Sequence, residues 1–529
     1  MKAPVIRPLC SALTAAVTAL IVTNSQAVHI SPSGTGQVLI FPYYTVRNGF
    51  DTLVSVTNTQ NNTKALKVRF REGLNGREVH NFNLFLSPND TWTGAVVETQ
   101  NGARLITNDN SCVAPSDLFA EVRKNSLGQE FNEFWNFSYA GNNADAIAIS
   151  SLDRTREGYF EIIEMGVIDP ALSASAAQVE TFATQSRGSS VPANCAALDA
   201  FDGFGGNSSP IRFPNTGATL MGPPRGGLTG RVSLISALTG ANYSFSPSAL
   251  DGWSSQVAYS PAGGSIGSLL SDATPATSMV TTPDGVVIAR WATGRDAVSA
   301  ALMRNSLMNE FVLDRGTNSQ TDWIATFPTK VFYANTTNFQ SPFDPPFGAN
   351  TSYGSRCDAY DFLFANREAS TKLEPIILGV APPNYIGDSK LCFMASAVPF
   401  AVLSAGSVGG WASPLSSLLA SQALSRLSST VQETALKAIT YSGDTTTPAL
   451  RSNSGQGANG KLTLLFNKPQ QQMTPISATF ISSSGTQAGI AGKHYGLPVI
   501  GVMLHNYMNA NVVSRYGGVI EHSYSVRVE

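Results

Sequence analysis

Gly455-Gln456-Gly457-Ala458-Asn459-Gly460-Lys461 carries the glycine and lysine spacing with which backbone amides and an ammonium cradle a phosphate. Such a loop needs a strand before the glycines and a helix N-terminus after them. Here Leu462 occupies the position of the magnesium-holding hydroxyl and a strand-like run follows, so the segment reads as a glycine-rich loop. Gly263-Gly264-Ser265-Ile266-Gly267 matches the pattern of a nucleophile elbow, with His494, His505 and His522 downstream. The elbow sits in an alternating strand and helix pattern, which the flanking residues lack, leaving a Gly/Ser turn.

The three C-terminal histidines have donor atoms suited to a metal, but their spacing fits no compact zinc motif. Asp199, Asp202-Gly203 and Asn207 offer oxygens for a calcium loop, with a spacing that departs from the EF-hand pattern. Glu161 and Glu164 fall on opposite faces of a predicted strand, against a paired-carboxylate site. Tyr43, Tyr44, Trp92, Trp135 and Trp323 are candidate sugar-stacking platforms, although aromatics at strand positions usually fill a core. No catalytic residue, metal site or cofactor is assigned.

Cysteine usage is more informative. Cys10 lies in a predicted leader, leaving Cys112, Cys195, Cys357 and Cys392. An even count in an exported chain implies two disulfides, and no CxxC points to redox or zinc chemistry. Three pairings are open; proximity favours Cys112–Cys195 and Cys357–Cys392.

The elements that must position these residues are mostly strands. Period-two alternation marks residues 52–57, 64–70 and 79–86, where Phe82 and Leu84 share one face and Asn81 and Asn83 the other. Residues 37–46, 91–98, 158–165, 231–237, 286–291, 322–328, 330–333, 360–366, 392–398, 461–466 and 498–504 add further strands. A helix is predicted from Asp296, as N-cap, to about Met308. Apolar spacing predicts a helical insertion near 414–438. Residues 117–137 suggest a short helix from Asp117, while 171–227, rich in Gly and Pro, read as a loop-rich excursion. The fold expected is mainly β, with two antiparallel β-sandwich-like blocks, a few peripheral helices and long loops. Its divisions are a signal peptide at 1–27, an N-terminal block at 28–170, the loop-rich excursion with strands and a helix at 171–320, and a C-terminal β-rich block at 321–529.

Export is inferred from Lys2 and Arg7, the apolar run 9–22 and the small residues of Ser25-Gln26-Ala27, which together form a secretory signal. No later run reaches the ~18 apolar residues of a transmembrane helix. Of the 529 residues 43% are hydrophobic, enough for packed cores, while charged residues make up 13% against about 25% on average. A net charge of -2 with no basic run excludes a nucleic-acid binder.

Residues 36–44, Val68-Arg69-Phe70-Arg71-Glu72-Gly73 with 84–92, 156–165, Asn309-Glu310-Phe311, 321–330 and Tyr516-Gly517-Gly518 resemble an uncharacterised family of exported, β-rich cell-surface proteins of Gram-negative bacteria. The resemblance implies export and a β-rich fold, and no site residues. The expected function is an exported non-enzymatic surface or extracellular structural/interaction protein, located in the periplasm, at the cell surface or in the medium. Its partners are other cell-envelope or extracellular proteins, or copies of itself. The alternative is a secreted glycan-binding protein or hydrolase.

Overall fold

Apolar and β-branched residues at alternate positions make an extended chain with one greasy face, which is stable only against a second layer. In the strand Asp51–Asn58 the even-numbered residues are all buried, whereas the others are exposed or half-buried. In Val38–Thr45, Thr63–Glu72 and Glu157–Ile168 every residue is buried, so these strands are covered on both faces.

The computed structural model describes residues 26–119, 132–144, 150–184, 191–202, 220–263, 269–312, 319–333, 341–343, 358–366, 390–391, 393–400, 459–508 and 515–529. Among these the fold is mainly β, built of antiparallel sheets. The largest sheet runs His29–Ile30, Ser248–Asp251, Val38–Thr45, Glu157–Ile168, Thr63–Glu72, Glu78–Leu86, Cys112–Ala114, with Met221–Gly222 also paired to Glu157–Ile168. A five-stranded sheet, ordered Ala241–Phe245, Leu228–Ser236, Asp51–Asn58, Thr91–Glu98, Ala103–Ile106, shares a core with it. Leu66, Val68, Phe70 and Ile162 of the large sheet meet Val54, Val56, Trp92 and Val232 there. The Phe41 and Phe160 rings stack at 4.2 Å across neighbouring strands of the large sheet.

Three four-stranded sheets carry most of the remaining described strands. One is ordered Ala395–Phe400, Gln320–Thr326, Ile500–Met508, Arg515–Glu521; the second Asp361–Asn366, Asn459–Leu465, Ser306–Val312, Ser523–Ser525. The third is Thr277–Thr282, Gly285–Arg290, Ser477–Ser482, Gly485–Ile490. Ile324, Val502 and Leu504 enter the first core cluster, and Thr326 Oγ1 donates to the Pro42 carbonyl at 2.6 Å. A second cluster gathers the helix Gly294–Leu302 with Trp291, Trp323 and Phe327.

The helix predicted from Asp296 to Met308 is shorter and begins earlier. Thr293 is its N-cap, accepting from the Asp296 N–H, and the chain turns extended at Met303, which pairs with Pro498. Residues 330–333 are not a strand: Lys330–Phe332 is a 3-10 turn, with Lys330 buried against Asp358 at 2.5 Å. The segment 171–227 holds two helices, Ala174–Ala183 and Cys195–Asp202, the first capped by Ser173. Its Gly and Pro content lies mainly in residues 203–224, and masks the alanine-rich helix formers before them. The leader up to residue 25, the core of the 117–137 helix and the 414–438 insertion lie outside the described residues.

Candidate functional site

The second face of the strand Thr63–Glu72 bears Lys67, Arg69 and Arg71, a pattern that ordinarily marks a solvent face. All three are buried. Burying a charge is costly unless it is paired and hydrogen-bonded. Arg69 donates to Glu78 at 2.6 Å and lies 3.5 Å from Glu161; Arg71 reaches Glu161 at 3.3 Å and the Gly76 carbonyl at 3.0 Å. Further buried pairs are Lys64–Glu164 at 2.7 Å, Arg154–Glu72 at 3.0 Å and Arg47–Glu157 at 2.7 Å.

Beside the arginines, residues 259–263 cross the sheet as a strap pinned from below. Asn83 donates to the Ser260 carbonyl at 2.9 Å and Lys67 Nζ to the Pro261 carbonyl at 2.7 Å. The Ala262 N–H donates to Asp202 at 2.9 Å and the Gly263 N–H to Asn81 at 2.9 Å. Asp202 also accepts from Asn83 at 2.6 Å and from the Tyr259 hydroxyl. Burial raises the Asp202 carboxyl above its ordinary range, opposed by these hydrogen bonds and by Lys67. Burial, reinforced by Arg69, lowers Lys67 to about 7, opposed by Asp202 and Glu78.

The sequence candidates separate onto different parts of the molecule. Cys112 and Cys195 are bridged, joining the edge strand Cys112–Ala114 to the start of the helix Cys195–Asp202. Cys357 and Cys392 lie outside the described residues. Asp199 accepts from the Ser116 backbone at 2.9 Å and its hydroxyl at 2.7 Å, so both carboxylates of the proposed calcium loop bind protein donors; Gly203 and Asn207 lie outside the described residues. Glu161 and Glu164 take opposite faces of their strand and separate cationic partners.

His494 meets the Trp291 ring edge-on at 5.2 Å; His522 sits between Asn309 at 3.1 Å and the Ile324 carbonyl at 3.0 Å. His505 lies 3.4 Å from the Met503 sulfur. Each histidine thus has its own surroundings, and among the described residues no three His, Cys, Asp or Glu side chains gather to hold a metal. Gly460 and Lys461 lie in a strand paired with Ser306–Val312, not at a helix start; the preceding residues 455–458 and residues 264–268, with Ser265, lie outside the described residues. Tyr43, Tyr44, Trp92 and Trp323 are core residues. Trp135 differs: it stacks at 4.9 Å on Phe137, which is 57% exposed.

The Lys67, Asn83 and Asp202 grouping was not evident from sequence, because a charged alternate face reads as solvent-facing. The available signal was the supply of acids in neighbouring strands, Glu78, Glu161 and Glu164, in register with the basic strand. Compared with protein-family profiles, curated proteins and solved structures, the chain finds no match.

Proposed function

We propose that this is an exported structural or interaction protein, acting at the cell surface or outside the cell through its β surfaces rather than as an enzyme. The observation that carries the reading is the strand Gly485–Ile490. It forms the outer edge of its four-stranded sheet, its first five residues are exposed, and it contains no charge and no proline. Edges of this kind offer unpaired backbone groups to another strand, and proteins that must avoid pairing blunt them with lysine or proline. The leader-like N-terminus and the resemblance to exported cell-surface proteins support the compartment. Spending much of the chain's scarce charge on buried pairs supports a building role over an open reactive cleft.

Localising tagged protein across periplasm, outer membrane and medium, with sizing of the native assembly, tests the proposal. Thr486→Pro, at a position whose N–H faces away from Ser477–Ser482, should disperse the assembly while leaving the circular dichroism spectrum unchanged. A periplasmic monomer that turns over a polysaccharide overturns the reading.

The Trp135–Phe137 stack favours a second reading, a secreted glycan-binding protein, since an exposed phenylalanine ring backed by a half-buried tryptophan suits the apolar face of a sugar. Its mark is polysaccharide binding that Phe137→Ala abolishes.

A further inference from the structure

Lys67 and Asn83 stand directly opposite one another in the antiparallel strands Thr63–Glu72 and Glu78–Leu86, so their side chains leave the same face as neighbours. Both are wholly buried. The Lys67 amine and the Asn83 carboxamide bind consecutive carbonyls of the strap, Pro261 and Ser260, so both ends lie under two adjoining peptides. Asp202, also wholly buried, accepts from the Asn83 amide nitrogen at 2.6 Å and sits close enough to Lys67 to oppose the loss of its charge. Among the described residues the Asn83 side-chain oxygen has no hydrogen-bond partner. Ala65, Phe85, Met165 and Ala262 form the apolar cluster on this side of the sheet.

An amine, a carboxamide and a carboxyl held together away from water are the components of an amide exchange. We propose that Lys67 and Asn83 are a site of self-modification, at which an intramolecular isopeptide bond forms with Asp202 as proton carrier. The unprotonated Lys67 amine attacks Asn83 Cγ, forming the Nζ–Cγ bond. The Cγ–Nδ2 bond breaks. The carboxyl of Asp202 gives a proton to Nδ2 and recovers one from the attacking nitrogen, so Asp202 is unchanged at the end. One primary amine and one primary amide become one secondary amide and one ammonia, with no oxidant or reductant. The lowered basicity of Lys67 supplies the free amine near neutral pH, and the raised carboxyl of Asp202 supplies the acid. The disulfide contributes at a distance: it anchors the first residue of the helix whose last residue is Asp202.

Intact-mass measurement and peptide mapping of the purified full-length chain test this directly. The expected result is a chain lighter by one ammonia, with a branched peptide joining Lys67 to Asn83 in tandem spectra. Linear, unmodified peptides covering both residues in the folded wild-type protein overturn the proposal, whatever the variants do. Lys67→Arg should yield a chain of unreduced mass. Asp202→Asn should give separate linear peptides from folded, soluble protein; a branched peptide in that variant overturns the role given to Asp202.

Discussion

At the scale of single residues, the interior is an unusual place for charge, and this protein puts much of its charge there. Glu161 serves both Arg69 and Arg71 in a wholly buried setting. Glu161→Gln removes the carboxylate that Arg71 and Arg69 share, leaving Arg69 its Glu78 partner and Arg71 the Gly76 carbonyl, which should cost about 3–5 kcal/mol in urea unfolding. An effect below about 1 kcal/mol, the ceiling for exposed pairs, would show that water reaches the cluster. Histidines behave oppositely. His80 and His494 are wholly buried, neither ring nitrogen has a partner among the described residues, and burial pushes their basicity down to about 3 and about 4. Burial likewise takes His522 to about 4, against the opposing Ile324 hydrogen bond. The unfolded chain keeps the ordinary value near 6.5, so it binds protons that the native state refuses. Stability is therefore complete above about pH 6.5 and drains as the pH falls toward 4. His80→Phe should lose about 2–3 kcal/mol less than wild type between pH 7 and pH 4.5, read from paired urea titrations. Equal losses in both proteins would contradict this. The sequence disclosed the identities of these residues but not their burial, since Lys67-Val68-Arg69-Phe70-Arg71 has the same alternation whether its polar face meets water or a second charged strand.

At the scale of elements, strands were legible and their partners were not. Alternation in 52–57 and 79–86 located those strands, because period two follows from backbone geometry alone, but it did not give the inner face, which is that of Val54 in the first and both faces in the second. The helix beginning at 294 was legible in kind but not in extent: nothing local stops it at Leu302, where pairing of Met303 with Pro498 draws the chain into a strand. Residues 330–333 erred for a similar reason, tertiary pairing of Lys330 with Asp358 outweighing the apolar pattern. Pairing also explains Gly501. A methyl group placed there would lie 1.9 Å from the Ile324 carbonyl oxygen, a backbone atom in the adjacent strand. Gly501→Ala should therefore part the strands Gln320–Thr326 and Ile500–Met508 locally, with faster amide exchange in both and a lower melting temperature. Unchanged exchange would mean that the backbone absorbs the methyl without separating.

Across the whole molecule, the covalent link at Cys112–Cys195 joins residues separated by 83 positions. Closing a loop of that length restricts the unfolded chain by about 4–5 kcal/mol in the chain-entropy model. Cys112→Ser should lower urea stability by an amount of that order and loosen the helix that carries Asp202; a loss under about 1 kcal/mol would place the bridge's effect on the native state alone. The same measurement on Cys357→Ser tests the second expected bridge, for which a comparable loss and a branched non-reduced peptide with Cys392 are predicted.

The order of strands in the large sheet also has a consequence in time. Val38–Thr45 is buried throughout, yet its two neighbours are Glu157–Ile168 and Ser248–Asp251. A ribosome delivers the strand long before either neighbour, and the Thr326 contact to Pro42 comes later still. The strand must therefore wait unpaired while about a hundred further residues are made, and its second neighbour follows only after some two hundred. Loop-closure entropy makes such distant pairing slow. That delay leaves a strand made for a two-sided interior open to wrong partners during synthesis, so refolding from urea should be slow and prone to aggregation.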